Sequence, residues 1–406
     1  MVQRILLGVA VCAWILLLIL QIHNSTHYPT HKSYDSAGHI EYLELLKTNF
    51  RVPLANEGWE LYQPPLYYTL HFWLPQLKLV QFTGVFWWVA LGVIAWTTFK
   101  SLLKDTLHAV SGALFVASLP VIVYLTPAIG NEFFSTLLIS LGLYLYLRFK
   151  KHPSTKSILV LSILVGLAFL TKATALVHVA AIAIDVMFSK LAKRPALSAK
   201  QLVAIFCIVA SISGWFYVRN FLVFGNPFQS SIDFPQYHIV QEPGYRDLGF
   251  FTDLSGFWNM DLFRAHWYSL IPGTYFSFFY DGHNAIIPVQ SYSLAGILLV
   301  LASLPFMALI GMGFVRSVKN FRKEEARVFV IYVVLLLAAY IAYNFKLPFY
   351  STVKGAFVAS LALPLGYFMI TALRQFPQKI QQIFVVYQCA YVVLIIKNFW
   401  ILPHWF

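Results

Sequence analysis

Three acid-containing stretches and three isolated cations are the parts of this sequence equipped for chemistry. The first stretch reads Tyr34-Asp35-Ser36-Ala37-Gly38-His39-Ile40-Glu41-Tyr42. In a helix, Asp35 and His39 share a face one turn apart, with Tyr42 close by; alternatively Asp35 simply caps a surface helix. The second runs Glu57-Gly58-Trp59-Glu60-Leu61-Tyr62-Gln63-Pro64-Pro65-Leu66-Tyr67-Tyr68. Its proline pair fixes a helix start and sets aromatic rings at the level of lipid headgroups. The third is Asn131-Glu132, at the mouth of an apolar run. Glu132 there either complements a helix dipole or acts as an ionisable functional group at the membrane surface.

The cations are Lys172, Arg219 and Lys354. All three are expected on the outer side of the membrane, against the general trend of basic residues, and a phosphate ligand would account for them together. For Lys172 alone, a snorkelling anchor is the competing reading. His23, His27, His31 and His39 recur at four- or eight-residue spacing, but Pro29 breaks any helix through them, so no metal site is expected. Cys12, Cys207 and Cys389 all lie in apolar segments and imply neither a disulfide framework nor zinc. No cofactor is expected; a divalent metal is possible but unsupported.

The elements that must position these groups are membrane helices. The 406 residues are 59% hydrophobic and only 11% charged, with a mean hydropathy of +0.69, too little polar surface to meet water on all sides. Eleven spans are expected, at about 4–22, 80–99, 107–126, 132–149, 157–171, 173–189, 201–218, 289–315, 328–344, 356–373 and 380–399. The first reads as a retained helix, because only Arg4 precedes it and no small-residue cleavage site follows.

With the N-terminus in the cytoplasm, 18 of the 29 basic residues fall in short cytoplasmic loops: Arg4; Lys100, Lys104; Arg148 to Lys156; Lys190 to Lys200; Arg316 to Arg327; Arg374, Lys379. Of the 16 acids, 12 sort to the other side, all but Asp105, Asp185, Glu324 and Glu325. The formal charge of +13 is thus explained by topology rather than by nucleic acid. The outer face carries two long stretches, 23–79 and 219–288. The first holds two interfacial helices, Asp35 to Thr48 and Pro64 to Leu77; the second caps the membrane face. The chain reads as one all-α polytopic domain, 1–406.

The residues quoted above, in their order, resemble the GT-C superfamily of membrane glycosyltransferases. The likeness is to the branch containing protein O-mannosyltransferases and lipid A aminoarabinose transferases. It rests on Asp35-x-x-x-His39 with Tyr42, Gln63-Pro64-Pro65-Leu66-Tyr67-Tyr68, Asn131-Glu132, Lys172, Trp215-x-x-x-Arg219-Asn220 and Gly225-x-Pro227. Beyond these, the chain matches mainly in hydropathy and around Lys354.

The resemblance implies an inverting sugar transfer, from a polyprenyl-phosphate-linked donor to a glycan, lipid or protein acceptor on the non-cytoplasmic face. It implies Asp35 as the base, with Glu132 beside it in the catalytic loops. The leaving phosphate would meet Lys172, Arg219 and Lys354. Tyr62, Tyr67 and Tyr275 would stack on sugar or line the lipid groove, together with His39, Tyr42, Glu60, Gln63, Pro64, Pro65, Tyr68, Asn131 and Asn220. Ser36 stands where the O-mannosyltransferases often carry a second acid, and Glu132 where an Asp is more usual; these departures leave the acceptor open. The competing class is a transporter or flippase of a lipid-linked or polar solute, which should show paired halves and charges buried at mid-membrane. The spans here are nearly charge-free. The implied setting is a plasma, inner or endoplasmic-reticulum membrane.

Overall fold

Apolar runs in lipid satisfy their backbone groups only within themselves, and the chain does so as helices. The computed structural model describes residues 2–191, 197–237, 246–289, 294–322, 325–347 and 350–402, and no strand occurs among them. Lys193, Arg194, Lys323, Glu324 and residues 290–293 of the expected 289–315 span lie outside the described residues. The protein is all-α and polytopic.

Eight described helical segments are long and apolar enough to cross a bilayer: Val2–His27, Leu77–Leu103, Asn131–Lys151, Lys200–Phe224, Leu294–Lys319, Arg327–Lys346, Gly355–Leu373 and Gln378–Phe399. The other three expected spans are shorter apolar helices, Thr106–Ser118, Thr155–Phe169 and Ala175–Ser189, so eight of the eleven expected crossings are long enough by themselves. At 107–126 the cause is Pro120, which has no N–H to continue a helix. One helix stops at Ser118 and a six-residue piece, Pro120–Leu125, starts afresh.

In chain order, α1 is Val2–His27, α2 Ser36–Asn49, α3 Leu66–His71, α4 Leu77–Leu103, α5 Thr106–Ser118, α6 Pro120–Leu125, α7 Asn131–Lys151, α8 Thr155–Phe169 and α9 Ala175–Leu191. Then come α10 Ala199–Val209 and α11 Trp215–Phe224, joined through a π-helical turn at Ala210–Gly214. Arg219 and Asn220 therefore ride on α11, and the second long connecting stretch begins at Gly225 rather than 219. The helix runs on because nothing breaks it before Gly225, whose φ of +73° ends it. The second stretch folds into short helices α12 Leu248–Thr252, α13 Ser255–Asn259, α14 Ala265–Tyr268 and α15 Leu270–Phe279. α16 Leu294–Leu301, α17 Leu304–Lys319, α18 Arg327–Lys346, α19 Ala362–Leu373 and α20 Gln378–Phe399 complete the bundle.

Glycines set the closest crossings. A Cβ on Gly84 would lie 1.9 Å from the Thr126 carbonyl oxygen, and one on Gly313 the same distance from that of Phe368, so α4 meets the chain after α6, and α17 meets α19, backbone to backbone. The first and last helices also close on each other. The Asn24 amide donates to the Phe399 carbonyl at 2.8 Å, and the His23 ring stacks on Trp400.

A buried ionic cluster locks one end of the bundle. The Asp185 carboxylate accepts from Arg327 Nε at 2.7 Å, Lys150 Nζ at 2.9 Å and the Tyr146 hydroxyl at 2.7 Å. Lys150 closes α7 while Glu132 opens it, so this cluster and Glu132 stand about 27 Å apart along the helix.

Candidate active site

The site forms where the stretch between α1 and α4 folds back over the opening turn of α7. Asp35 precedes α2 in the left-handed region, φ 55°, and its side chain caps nothing in that helix. Backbone strain at a non-glycine residue of this kind is sustained only by its surroundings. Here the surroundings are two partners from distant parts of the chain. Oδ1 accepts from the Trp59 indole N–H at 3.2 Å, and Oδ2 lies 3.2 Å from Lys354 Nζ. The Asp35 side chain remains 36% exposed while that of Lys354 is 7% exposed, so the carboxylate faces outward from a buried cation. Burial pushes the Asp35 carboxyl up; the Lys354 charge, with the neighbouring His39 and the Trp59 hydrogen bond, outweighs it and holds it below its ordinary value.

A second acid–amine pair stands beside the first. Glu132 Oε1 meets Lys172 Nζ at 2.5 Å, both side chains largely buried. The Phe357 ring lies 5.6 Å from the Lys172 ammonium and 5.6 Å from the Lys354 ammonium, so one aromatic ring serves both cations. Tyr34 supplies a second ring to Lys354, at 4.7 Å.

His39 bridges the halves. Its Nδ1 pairs with the Tyr68 hydroxyl at 2.7 Å, and its Nε2 comes within 3.9 Å of Glu132 Oε2. Burial lowers the imidazole pKa more than the Glu132 and Asp35 carboxylates raise it, so the ring is neutral near pH 7 and the approach to Glu132 is a polar contact rather than an ion pair. Tyr42 stacks flat on Tyr68, centroids 3.6 Å apart, and donates to the Gln63 carbonyl. The Tyr67 hydroxyl accepts from the Gly130 N–H at 3.3 Å. Pro64 and Pro65 are buried just ahead of α3, whose first N–H, on Leu66, donates to the Leu170 carbonyl at the end of α8. That helix ends at His71, short of the expected Leu77.

Two expected members stand elsewhere. Arg219 donates to the Val52 carbonyl and to Asn220 Oδ1 and lies over the Phe216 ring. No hydrogen bond or ion pair among the described residues joins it to Asp35, Glu132, Lys172 or Lys354. Tyr275 bonds to Ser303 and the Val300 carbonyl and packs among Phe257, Phe276 and Phe279, inside the junction of α15 with α16 and α17. Tyr62 is half-buried, near Glu60 and the carboxylates of Asp35 and Glu132.

Trp59, Phe357, Tyr34, His266 and His283 were not expected. His283 Nε2 pairs with the Val353 carbonyl at 2.6 Å and its ring lies 3.9 Å from that of His266, behind Lys354. Burial, aided by the Lys354 charge, takes His266 down to about 4, and burial with the neighbouring His266 takes His283 well below its ordinary value, so neither adds charge beside the lysine. A tryptophan within the acid-rich run 57–60 was the one available signal; nothing near Phe357 in sequence marks it. Among the described residues, no three His, Cys, Asp or Glu side chains gather as metal ligands.

Residues 77–217 match the family model described as dolichyl-phosphate-mannose-protein mannosyltransferase. That segment includes Glu132 and Lys172 and excludes Asp35 and Lys354. No curated protein matches by sequence. Among solved structures, ArnT from Cupriavidus metallidurans in the apo state matches with a TM-score of 0.58 at 12% identity, over 92% of this chain and 60% of that one. The same protein bound to undecaprenyl phosphate matches with a TM-score of 0.52 at 11% identity, with the same coverage. The apo oligosaccharyltransferase of Archaeoglobus fulgidus matches with a TM-score of 0.56 at 15% identity, over 98% of this chain and 56% of that one. The chain thus spans 60% or less of the length of these proteins. At such identities the likeness is one of architecture: the chain shares the fold of ArnT and of the archaeal oligosaccharyltransferase.

Proposed function

We propose that this protein is an inverting glycosyltransferase that takes a sugar from a polyprenyl-phosphate-linked donor and passes it to an acceptor hydroxyl on the non-cytoplasmic face. The N-terminus then lies in the cytoplasm. The observation that carries the reading is the pairing of two carboxylates with two lysines around Phe357, beside the start of a membrane helix. ArnT has been crystallised with undecaprenyl phosphate, which supports a lipid-phosphate donor for a chain of this fold.

In this reading the donor phosphate is drawn to Lys354 and Lys172, and its arrival loosens Lys354 from Asp35. The freed Asp35 carboxylate accepts the acceptor's proton as the hydroxyl oxygen attacks the anomeric carbon. The bond from that carbon to the phosphate oxygen breaks, and the electron pair leaves on the lipid phosphate, stabilised by the lysines. A lowered carboxyl pKa keeps Asp35 ionised, as a base must be. Glu132 holds Lys172 in place. Arg219 is held by the Val52 carbonyl and Asn220 Oδ1 and makes no hydrogen bond or ion pair with this cluster among the described residues.

Binding of a polyprenyl phosphate to the detergent-solubilised protein tests the reading. Lys172→Ala and Lys354→Ala should each weaken it about tenfold or more, the scale of a lost charge-assisted contact. Unchanged affinity in both variants would remove the lysines from the phosphate site.

A further inference from the structure

Behind the Glu132–Lys172 pair runs a chain of side chains that the transfer step does not use. The Glu60 side chain, in a residue only 5% exposed, accepts from Gln63 Nε2 at 2.8 Å. Gln63 Oε1 accepts from Asn131 Nδ2 at 3.0 Å, and the same Asn131 amide donates to the Thr171 carbonyl at 3.1 Å. Asn131 immediately precedes Glu132, and Thr171 immediately precedes Lys172. The chain therefore grips both members of the ion pair by the residue before each. Its far end is anchored as well: a Cβ on Gly38, one turn into α2 from Asp35, would come within 2.9 Å of Glu60 Cβ and Cγ. Glu60 thus ties the helix that follows Asp35 to the backbone that carries Glu132 and Lys172.

We propose that Glu60, as a neutral carboxyl, is a positioning residue: through Gln63 and Asn131 it sets where the Lys172 ammonium stands relative to Asp35. Neutrality is required by what surrounds it. A third carboxylate here would repel Asp35 and Glu132 and compete with them for Lys172. The other facing groups, Tyr62, Tyr68 and Tyr343, carry no cation to compensate it. Burial first, then the charges of Asp35 and Glu132, push Glu60 up to about 8 against the opposing pull of Gln63 and Lys172. Glu60 acts through other residues and touches no reacting atom in the proposed chemistry.

The inference rests on the donor-phosphate reading, and two readouts separate their fates. In polyprenyl-phosphate binding at pH 7, Glu60→Ala should weaken affinity about tenfold, as expected for a lost buried hydrogen bond with its displaced partner. Glu60→Gln, neutral and nearly isosteric, should restore it. Wild-type binding should fall between pH 7 and pH 9 and that of E60Q should not. Equal affinity in E60A and wild type, failure of E60Q to rescue, or the same alkaline fall in wild type and E60Q would each overturn the proposal. Should E60A not fold, the pH comparison of wild type with E60Q decides alone. Infrared difference spectra of the unliganded protein give the second readout. A protonated-carboxyl band present at pH 6, lost as pH rises through about 8 and missing from E60Q supports the proposal, and a Glu60 already ionised at pH 6 defeats it. If the wild-type protein binds no polyprenyl phosphate, the donor reading fails and the infrared titration still decides the state of Glu60.

Discussion

At the scale of single residues, the site is a contest between burial and charge that ends differently at each carboxyl. Glu60 has no cation bonded to it and burial pushes its carboxyl up to about 8; Asp35 is bonded to Lys354 and is held below its ordinary value. The two therefore respond oppositely to pH. A carboxyl in the unfolded chain titrates near ~4. Glu60, raised above that, contributes stability that is complete below that value and lost as pH rises through about 8. Glu60→Gln removes this loss, so its melting temperature relative to wild type should rise from pH 5 to pH 9. A flat difference would show that Glu60 ionises normally. Asp35, held below its ordinary value, contributes stability above about pH 4 that is lost in acid, so the stability deficit of Asp35→Asn should shrink as pH falls. Asp35, Glu132, Lys172 and Lys354 were all legible in the sequence as isolated ionisable groups beside apolar runs. Their pairing was not, because Asp35 and Lys354 are 319 residues apart and no local pattern encodes such a contact. Tyr275 carries a contact that its sequence position does not reveal either: its hydroxyl is bonded to Ser303 and the Val300 carbonyl at a helix junction.

At the scale of elements, hydropathy located the apolar helices because backbone groups in lipid have no other way to be satisfied. It located their ends less well. A proline inside an apolar run divided the 107–126 segment, and an unbroken run past Arg219 carried α11 to Phe224, turning an expected loop cation into a helical one. What fixes the helices against one another is glycine where backbones touch. Gly313 and Gly311 lie two residues apart on α17, yet only the first has a neighbour within 4 Å of an added Cβ. Gly313→Ala should destabilise the protein by about 1–3 kcal/mol, the usual range for overpacking, and Gly311→Ala should be neutral or slightly stabilising. Unfolding in mixed micelles measures both. Equal effects would mean that the α17–α19 crossing is not the close contact described here.

At the scale of the whole molecule, charge is divided between two ends of the bundle. One holds the Asp35 and Glu132 pairs, the other the buried Asp185 cluster with Arg327, Lys150 and Tyr146. The second reads as a structural lock. Asp185→Leu strands Arg327, which is 2% exposed, and should lower stability by about 3–5 kcal/mol. Activity measured below the new melting point should persist. Lost activity in a folded Asp185→Leu protein would couple the two ends. Asp35 is the residue on which the proposed transfer depends, and the most direct measurement is sugar transfer from a polyprenyl-phosphate-linked donor by purified wild-type and Asp35→Asn proteins, with donor binding followed in parallel. The account predicts a fall in transfer of about 100- to 10,000-fold, the range for loss of a general base, with donor affinity retained. An Asp35→Asn protein that transfers sugar at the wild-type rate would contradict it.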